Sequence, residues 1–207
     1  IARGDGASGV VLGDKGRIAS TETGAFIRIE TTDPTIGGDD AVTLGDGTTH
    51  VLGGRGSDTV SIGSGDHILG GDMGEVDFTT GARTLFNAFI GEADEGAADS
   101  LTATTGSMWI MGGQGDDTIA RGDGASGVVL GDKGRIEAAA NGDLVRIETT
   151  DHMIGGADAI TLGNGDSFVM GGRDGDTITT GDGDHVIIGD VGHLDFVGGQ
   201  RAHAVSP

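Results

Sequence analysis

The chain has no cysteine and no tyrosine, two prolines and one tryptophan, and its 12 Lys and Arg face 33 Asp and Glu. Without thiols, neither disulfides nor Cys-based metal sites can hold the fold. With six Phe and one Trp as the only aromatics, a thick interdigitated core is excluded, so Val, Ile and Leu must be buried in thin, repeated layers. A net charge of −21 argues against a nucleic-acid-binding surface. It favours cationic partners, small multivalent ions above all, because the acids run along the whole length instead of forming a tail. No apolar run approaches a membrane span. The start at Ile1, with neither an initiator Met nor a signal-type segment, reads as a piece of something longer.

Glycine is what the chain has in excess, 44 of 207 residues. Neither the every-third-residue spacing nor the proline content of collagen accompanies it. It belongs instead to a repeat. Residues 2–18, "ARGDGASGVVLGDKGRI", recur letter for letter at 120–136, an offset of 118, and half that offset is also a period: Asp58, Asp117 and Asp176 lie 59 apart, as do Asp40, Asp99 and Asp158. The chain is therefore a single continuous segment, 1–207, of units 2–60, 61–119 and 120–178 and a partial unit 179–207.

A shorter step of 18 residues separates Asp40 from Asp58 and Val42 from Val60. Within it lie two short aliphatic stretches, such as "AVTL" then "HVL", separated by Gly-rich turns. Alternation sends Val42 and Leu44, or Val60 and Ile62, to one face and Thr43 and Ser61 to the other. Counting Ile119, Ile136, Ile160 and Ile178 gives about three coils per 59-residue unit, one of them enlarged. The expectation is an all-β, parallel β-solenoid or β-roll. The less regular stretches 19–35, 77–95 and 137–153 predict a longer strand or hairpin beside the stack. The segment 84–100 is expected to project laterally, with a short helix over 84–90 as an alternative.

The lines "GGRGSDTVS" (53–61) and "GGQGDDTIA" (112–120) combine what a hard-cation site asks for. Glycines permit positive-φ turns that aim carbonyls, Asp supplies a carboxylate, and an aliphatic residue two positions on anchors a strand. This pattern resembles the RTX, or haemolysin-type, calcium-binding nonapeptide repeat. A third line, "GGRDGDTIT" (171–179), departs from it with Asp174 in place of the third Gly. The resemblance implies calcium-stapled turns with Asp58, Asp117 and Asp176 as ligands. Gly53, Gly54, Gly56, Gly112, Gly113 and Gly115 would present carbonyls. Degenerate Gly-Asp turns add Asp5, Asp123, Asp182, Asp66 and Asp184, and a further Gly-Asp series adds Asp14, Asp72, Asp132 and Asp190. The alternative is that Asp and Gly serve only as turn formers, through side-chain bonds to backbone amides. Rows of Asp stacked about 5 Å apart would repel one another without a counter-ion. Folding and several Ca2+ ions are therefore expected to be linked.

His67 and His185 occupy equivalent places and are expected at the surface beside strands. Arg-Gly-Asp occurs at 3–5 and 121–123, inside a turn of this type. No acid, base and nucleophile set breaks the repeat, so no enzyme is expected. The resemblance implies a calcium-binding structural region of a large secreted bacterial protein, an adhesin, surface layer or fibre spacer that folds outside the cell. Its partners would be neighbouring repeats or head-to-tail copies, or a cell surface or glycan, with no nucleic acid. Two alternatives stay open. One is a β-helix carbohydrate-active enzyme fragment. The other is an ice- or glycan-binding face built on Thr43, Thr59, Thr161, Thr177 and Thr179, interrupted at Ser61, Ala103 and Ala120.

Overall fold

The computed structural model describes residues 1–6, 8–88 and 96–206. Strands follow one another in a fixed rhythm. The pair β1 (Ala2–Arg3) and β2 (Gly9–Leu12) leads into the hairpin β3 (Gly16–Ser20) and β4 (Phe26–Thr31). Two pairs, β5 (Ala41–Leu44) with β6 (Thr49–Leu52) and β7 (Thr59–Ile62) with β8 (His67–Gly70), precede the hairpin β9 (Gly74–Thr79) and β10 (Ala82–Ala88). Next come β11 (Ser100–Ala103) with β12 (Gly106–Gly113), β13 (Thr118–Arg121) with β14 (Ala125–Asp132), and the hairpin β15 (Gly134–Ala138) and β16 (Leu144–Thr149). The series closes with β17 (Ala159–Leu162), β18 (Ser167–Met170), β19 (Thr177–Thr180), β20 (His185–Ile188) and the hairpin β21 (His193–Val197) and β22 (Gln200–Val205).

These strands sort into three sheets. The first member of each pair joins a seven-stranded parallel sheet, β1-β5-β7-β11-β13-β17-β19, and the second joins another, β2-β6-β8-β12-β14-β18-β20. The hairpins join edge to edge into an eight-stranded antiparallel sheet, β22-β21-β16-β15-β10-β9-β4-β3. The expected single parallel β-solenoid or β-roll is thus corrected: the described residues form two parallel sheets and one antiparallel sheet, and no closed roll. Three coils per unit is also wrong. Each 59-residue unit supplies two strand pairs, separated by steps of 18 and 41 residues, and one hairpin. Ile136, counted as a coil, lies on β15 in the antiparallel sheet, opposite Ile147.

The physical reason is visible in the middle sheet. Strands of the first sheet alternate exposed and buried residues, as in β5 and β7, whereas β6 and β8 are buried at every position. A parallel strand buried on both faces needs cover on both. Val42, Leu44, Val60 and Ile62 meet Val51, Leu69 and Ile110 in one core, and Leu52, Ile68, Trp109 and Leu130 meet Ile29, Val76, Phe86 and Ile136 in a second. Each fully buried aliphatic side chain contributes about 1.5–3 kcal/mol, so hairpins left beside the stack would forfeit the second core.

The two outer faces differ in chemistry. On the antiparallel sheet Arg28 pairs with Glu30 at 2.9 Å and Asp77 at 3.4 Å, and Arg146 with Glu148 at 2.7 Å. The first sheet carries no charge outside, only Ala, Ser and Thr. Its registered row reads Thr43, Ser61, Thr102, Ala120, Thr161 and Thr179. Ala103, expected to interrupt that row, points inward and is buried. Residues 84–88 of the expected projection lie in strand β10 and not in a helix, and 89–95 fall outside the described residues.

Candidate functional site

Where the middle sheet's strands end, the chain turns back to the first sheet through the Gly-Gly-x-Gly-x-Asp lines. Gly54, Gly56, Gly113 and Gly115 take φ of 112, 112, 125 and 112°, a region that favours glycine. Asp174, at the position of the third glycine, takes the same side of the map with φ 70°, which Asp tolerates better than most residues.

The Asp ending each line forms a ladder. Asp58 Oδ1 accepts the Asp40 N–H at 2.7 Å, Asp99 Oδ1 the Asp58 N–H at 2.7 Å, and Asp117 Oδ1 the Asp99 N–H at 2.8 Å. Asp158 and Asp176 continue it, accepting from Asp117 and Asp158 at 2.8 and 2.9 Å. One carboxylate oxygen of each residue is thereby satisfied. The other, Oδ2 of Asp58, Asp99, Asp117, Asp158 and Asp176, is buried without a hydrogen-bond partner. A methyl group added at Gly53, Gly112 or Gly171 would overlap that Oδ2 and also a glycine carbonyl of the adjoining turn, Gly71, Gly131 or Gly189. Carboxylate and carbonyl oxygens therefore flank each glycine on one side, in space only a missing side chain leaves free.

Burial dominates the electrostatics. Asp58 is pushed up to about 7, Asp99 and Asp158 to about 8 and Asp117 to about 10, in each case mainly because water is excluded. The backbone N–H each accepts works the other way, and neighbouring Asp residues add to the rise. Asp176 is raised for the same leading reason. A buried carboxylate with one orphaned oxygen calls for a proton or a cation.

A second series lies beside the first. Asp14 Oδ2 accepts from Arg55 N and Asp72 Oδ2 from Gln114 N, both at 2.6 Å, while Asp132 takes the N–H groups of Arg173 and Gly156. Burial raises Asp132 to about 7. Asp190 acts on Asp176 electrostatically from the same end. Asp5, Asp123, Asp182, Asp66 and Asp184 lie at the opposite ends of the strands, in the turns from first to middle sheet. There Asp123 Oδ1 holds the Asn164 N–H at 2.9 Å, Asn164 Oδ1 the Asp182 N–H at 2.7 Å, and Asp166 Oδ1 the Asp184 N–H at 2.8 Å. These turns match the turn-forming reading, except that the amides capped belong to the next turn of the stack.

The expected ligands therefore divide between two edges of the molecule. Asp40, Asp99 and Asp158 were missing from the expected set although the 59-residue period contained them. Each precedes a strand of the first sheet exactly as Asp58 does, and that was the available signal. Among the described residues no three His, Asp or Glu side chains converge as a metal cluster. A cation at the ladder would therefore draw on Oδ2 together with backbone carbonyls, an all-oxygen set suited to a hard ion. His67 is fully buried rather than superficial, its ring bonded to Thr49 Oγ1 at 2.9 Å and the Gly63 carbonyl at 3.2 Å. In the second Arg-Gly-Asp, Arg121 is 4% exposed while Gly122 and Asp123 are exposed, so the guanidinium is withdrawn from the surface that the other two residues reach.

No protein-family model matches the chain, and no curated protein matches it in sequence. The described residues contain no helix long and apolar enough to cross a membrane.

Proposed function

We propose that the chain is a calcium-binding structural repeat region of a large secreted or cell-surface bacterial protein, a spacer in an adhesin, surface layer or fibre. The observation that carries this reading is the row of five buried, unpartnered Oδ2 atoms, each beside a glycine carbonyl. Cations there would neutralise carboxylates that burial otherwise keeps protonated and would tie successive turns together. Hence folding outside the cell, where calcium is plentiful, would be favoured. The same turns recur at every unit, which suits a scaffold better than a unique active centre.

The test is far-UV circular dichroism and thermal melting of chelator-treated protein titrated with calcium, with magnesium as control. A cooperative gain of β signal or a large rise in melting temperature with calcium alone is expected. A β-rich spectrum and a melting temperature that calcium leaves unmoved would overturn the proposal.

A further inference from the structure

Between the middle sheet and the hairpin tips of the antiparallel sheet lies a cavity of about 440 Å3 that the aspartate ladders do not use. Small-molecule sites span about 300–1,000 Å3. Trp109, Phe78 and His50 form its aromatic wall, and Arg83, Asp66 and Ser107 supply its main polar groups. Arg83 enters from the tip of β10, its guanidinium carbon 4.7 Å from the Trp109 ring centroid. It donates to the His67 carbonyl at 3.1 Å and to Ser107 Oγ at 2.9 Å, both uncharged acceptors. Asp66, held by the Ser107 N–H at 3.3 Å, sets the opposite charge on the same wall. His50 is 8% exposed and its Nδ1 has no hydrogen-bond partner.

The groove occurs twice. Moved by 118 positions, His50, Asp66, Phe78 and Arg83 become Phe168, Asp184, Phe196 and Arg201, and these four line a second cavity of about 710 Å3. At the other two hairpins the register places Phe26, opposite Ser20, and Leu144, opposite Ala138, where Arg83 stands opposite Phe78 and Arg201 opposite Phe196. The guanidinium thus comes on alternate hairpins, and Gly142 leaves room beside it. Four strand steps in the middle sheet, from β6 to β18, separate His50 from its counterpart Phe168 by about 19 Å, and Phe168 lines both cavities, so the first adjoins the second.

We propose that these grooves bind a neutral pyranose sugar, its apolar C–H face against the aromatic wall and its hydroxyls between Arg83 and Asp66. A guanidinium only donates and a carboxylate only accepts, so a ligand meeting both must do both, as hydroxyls do. An anion would meet Asp66 and the field of a chain of net charge −21, and a cation would meet Arg83. The repeat at about 19 Å suits a glycan chain that reaches both grooves.

Trp109 is the only tryptophan, so its fluorescence reports the first groove directly. The calcium-saturated chain is titrated into the tens-of-millimolar range with cellobiose, maltose, chitobiose, cellohexaose and maltohexaose, and with galacturonate as the anionic control. A saturable change with at least one neutral sugar is expected, weakened at least tenfold by Asp66→Asn and by Arg83→Gln; Asp66 is exposed, so its replacement leaves the core intact. A hexaose that binds more tightly than its disaccharide, with the advantage lost in Arg201→Ala, identifies a glycan chain spanning both grooves, whereas equal affinities identify a short free sugar. No saturable change with any neutral sugar, a response to galacturonate alone, or a response that both groove variants leave intact would overturn the proposal.

Discussion

Raising the pH should unfold the cation-free protein. Asp99, Asp117 and Asp158 are held at about 8, 10 and 8, against about 4 for Asp in an unfolded chain. Between pH 5 and 7 all three keep their protons in the fold and lose them on unfolding. A group whose pKa is raised by folding gives its full stabilisation below the unfolded pKa, and that stabilisation is lost as pH climbs toward the folded value. Each such group costs about 1.4 kcal/mol per pH unit, so the three together cost up to about 4 kcal/mol per unit and about 8 between pH 5 and 7. An ordinary domain has about 5–15 kcal/mol in total. The assay is urea denaturation in chelator at pH 5, 6 and 7, repeated in excess calcium. The midpoint should fall steeply with pH in chelator and much less in calcium, whose binding should also release protons. A chelator midpoint that is flat or rises from pH 5 to 7 would refute the reasoning, because these carboxylates would then be ionised within the fold at no cost.

Asp117→Asn keeps an Oδ1 acceptor for the Asp99 N–H but removes the charge, so at pH 8 it should stabilise the chelated protein and shrink the calcium-induced rise in melting temperature. Asp117→Ala also leaves that buried N–H unpaired and should cost about 1–3 kcal/mol in a urea titration at pH 5. Gly112→Ala, whose methyl would overlap Asp117 Oδ2 and the Gly131 carbonyl, should lower stability by about 1–3 kcal/mol, whereas Gly4→Ala, with nothing within 4 Å, should stay within about 0.5 kcal/mol. Phe86→Ala should cost about 3–5 kcal/mol by the same measurement, since Phe86 is fully buried between the middle and antiparallel sheets.

The local pattern was readable where it depended on neighbours in the chain. Alternation at Val42/Leu44 and Val60/Ile62 placed β5 and β7, and the irregular stretches 19–35 and 137–153 announced the hairpins that begin at Gly16 and Gly134. What could not be read locally was the pairing of one hairpin with the next. Ile29 meets Val76 across 47 residues, and nothing in either strand names its partner. The indirect sign was the unbroken apolar character of "HVL" and "HIL", which implies cover on two faces. At the candidate site the Asp58 series was legible from its glycines. Asp99 and Asp158 were not, because "EGAADS" and "GGADAI" lack the full glycine line while keeping the Asp.

The aspartate ladder has a direction. Every Oδ1 accepts from the Asp before it in the chain, never from the one after, so Asp58 caps Asp40 and Asp176 caps Asp158. As the chain emerges N-terminus first, a turn is completed only when the following Asp arrives, 18 or 41 residues later. The newest turn is always the unfinished one, and a lesion such as the loss of Asp117 exposes the amide behind it, at Asp99, while Asp158 beyond it keeps its own cap from Asp176.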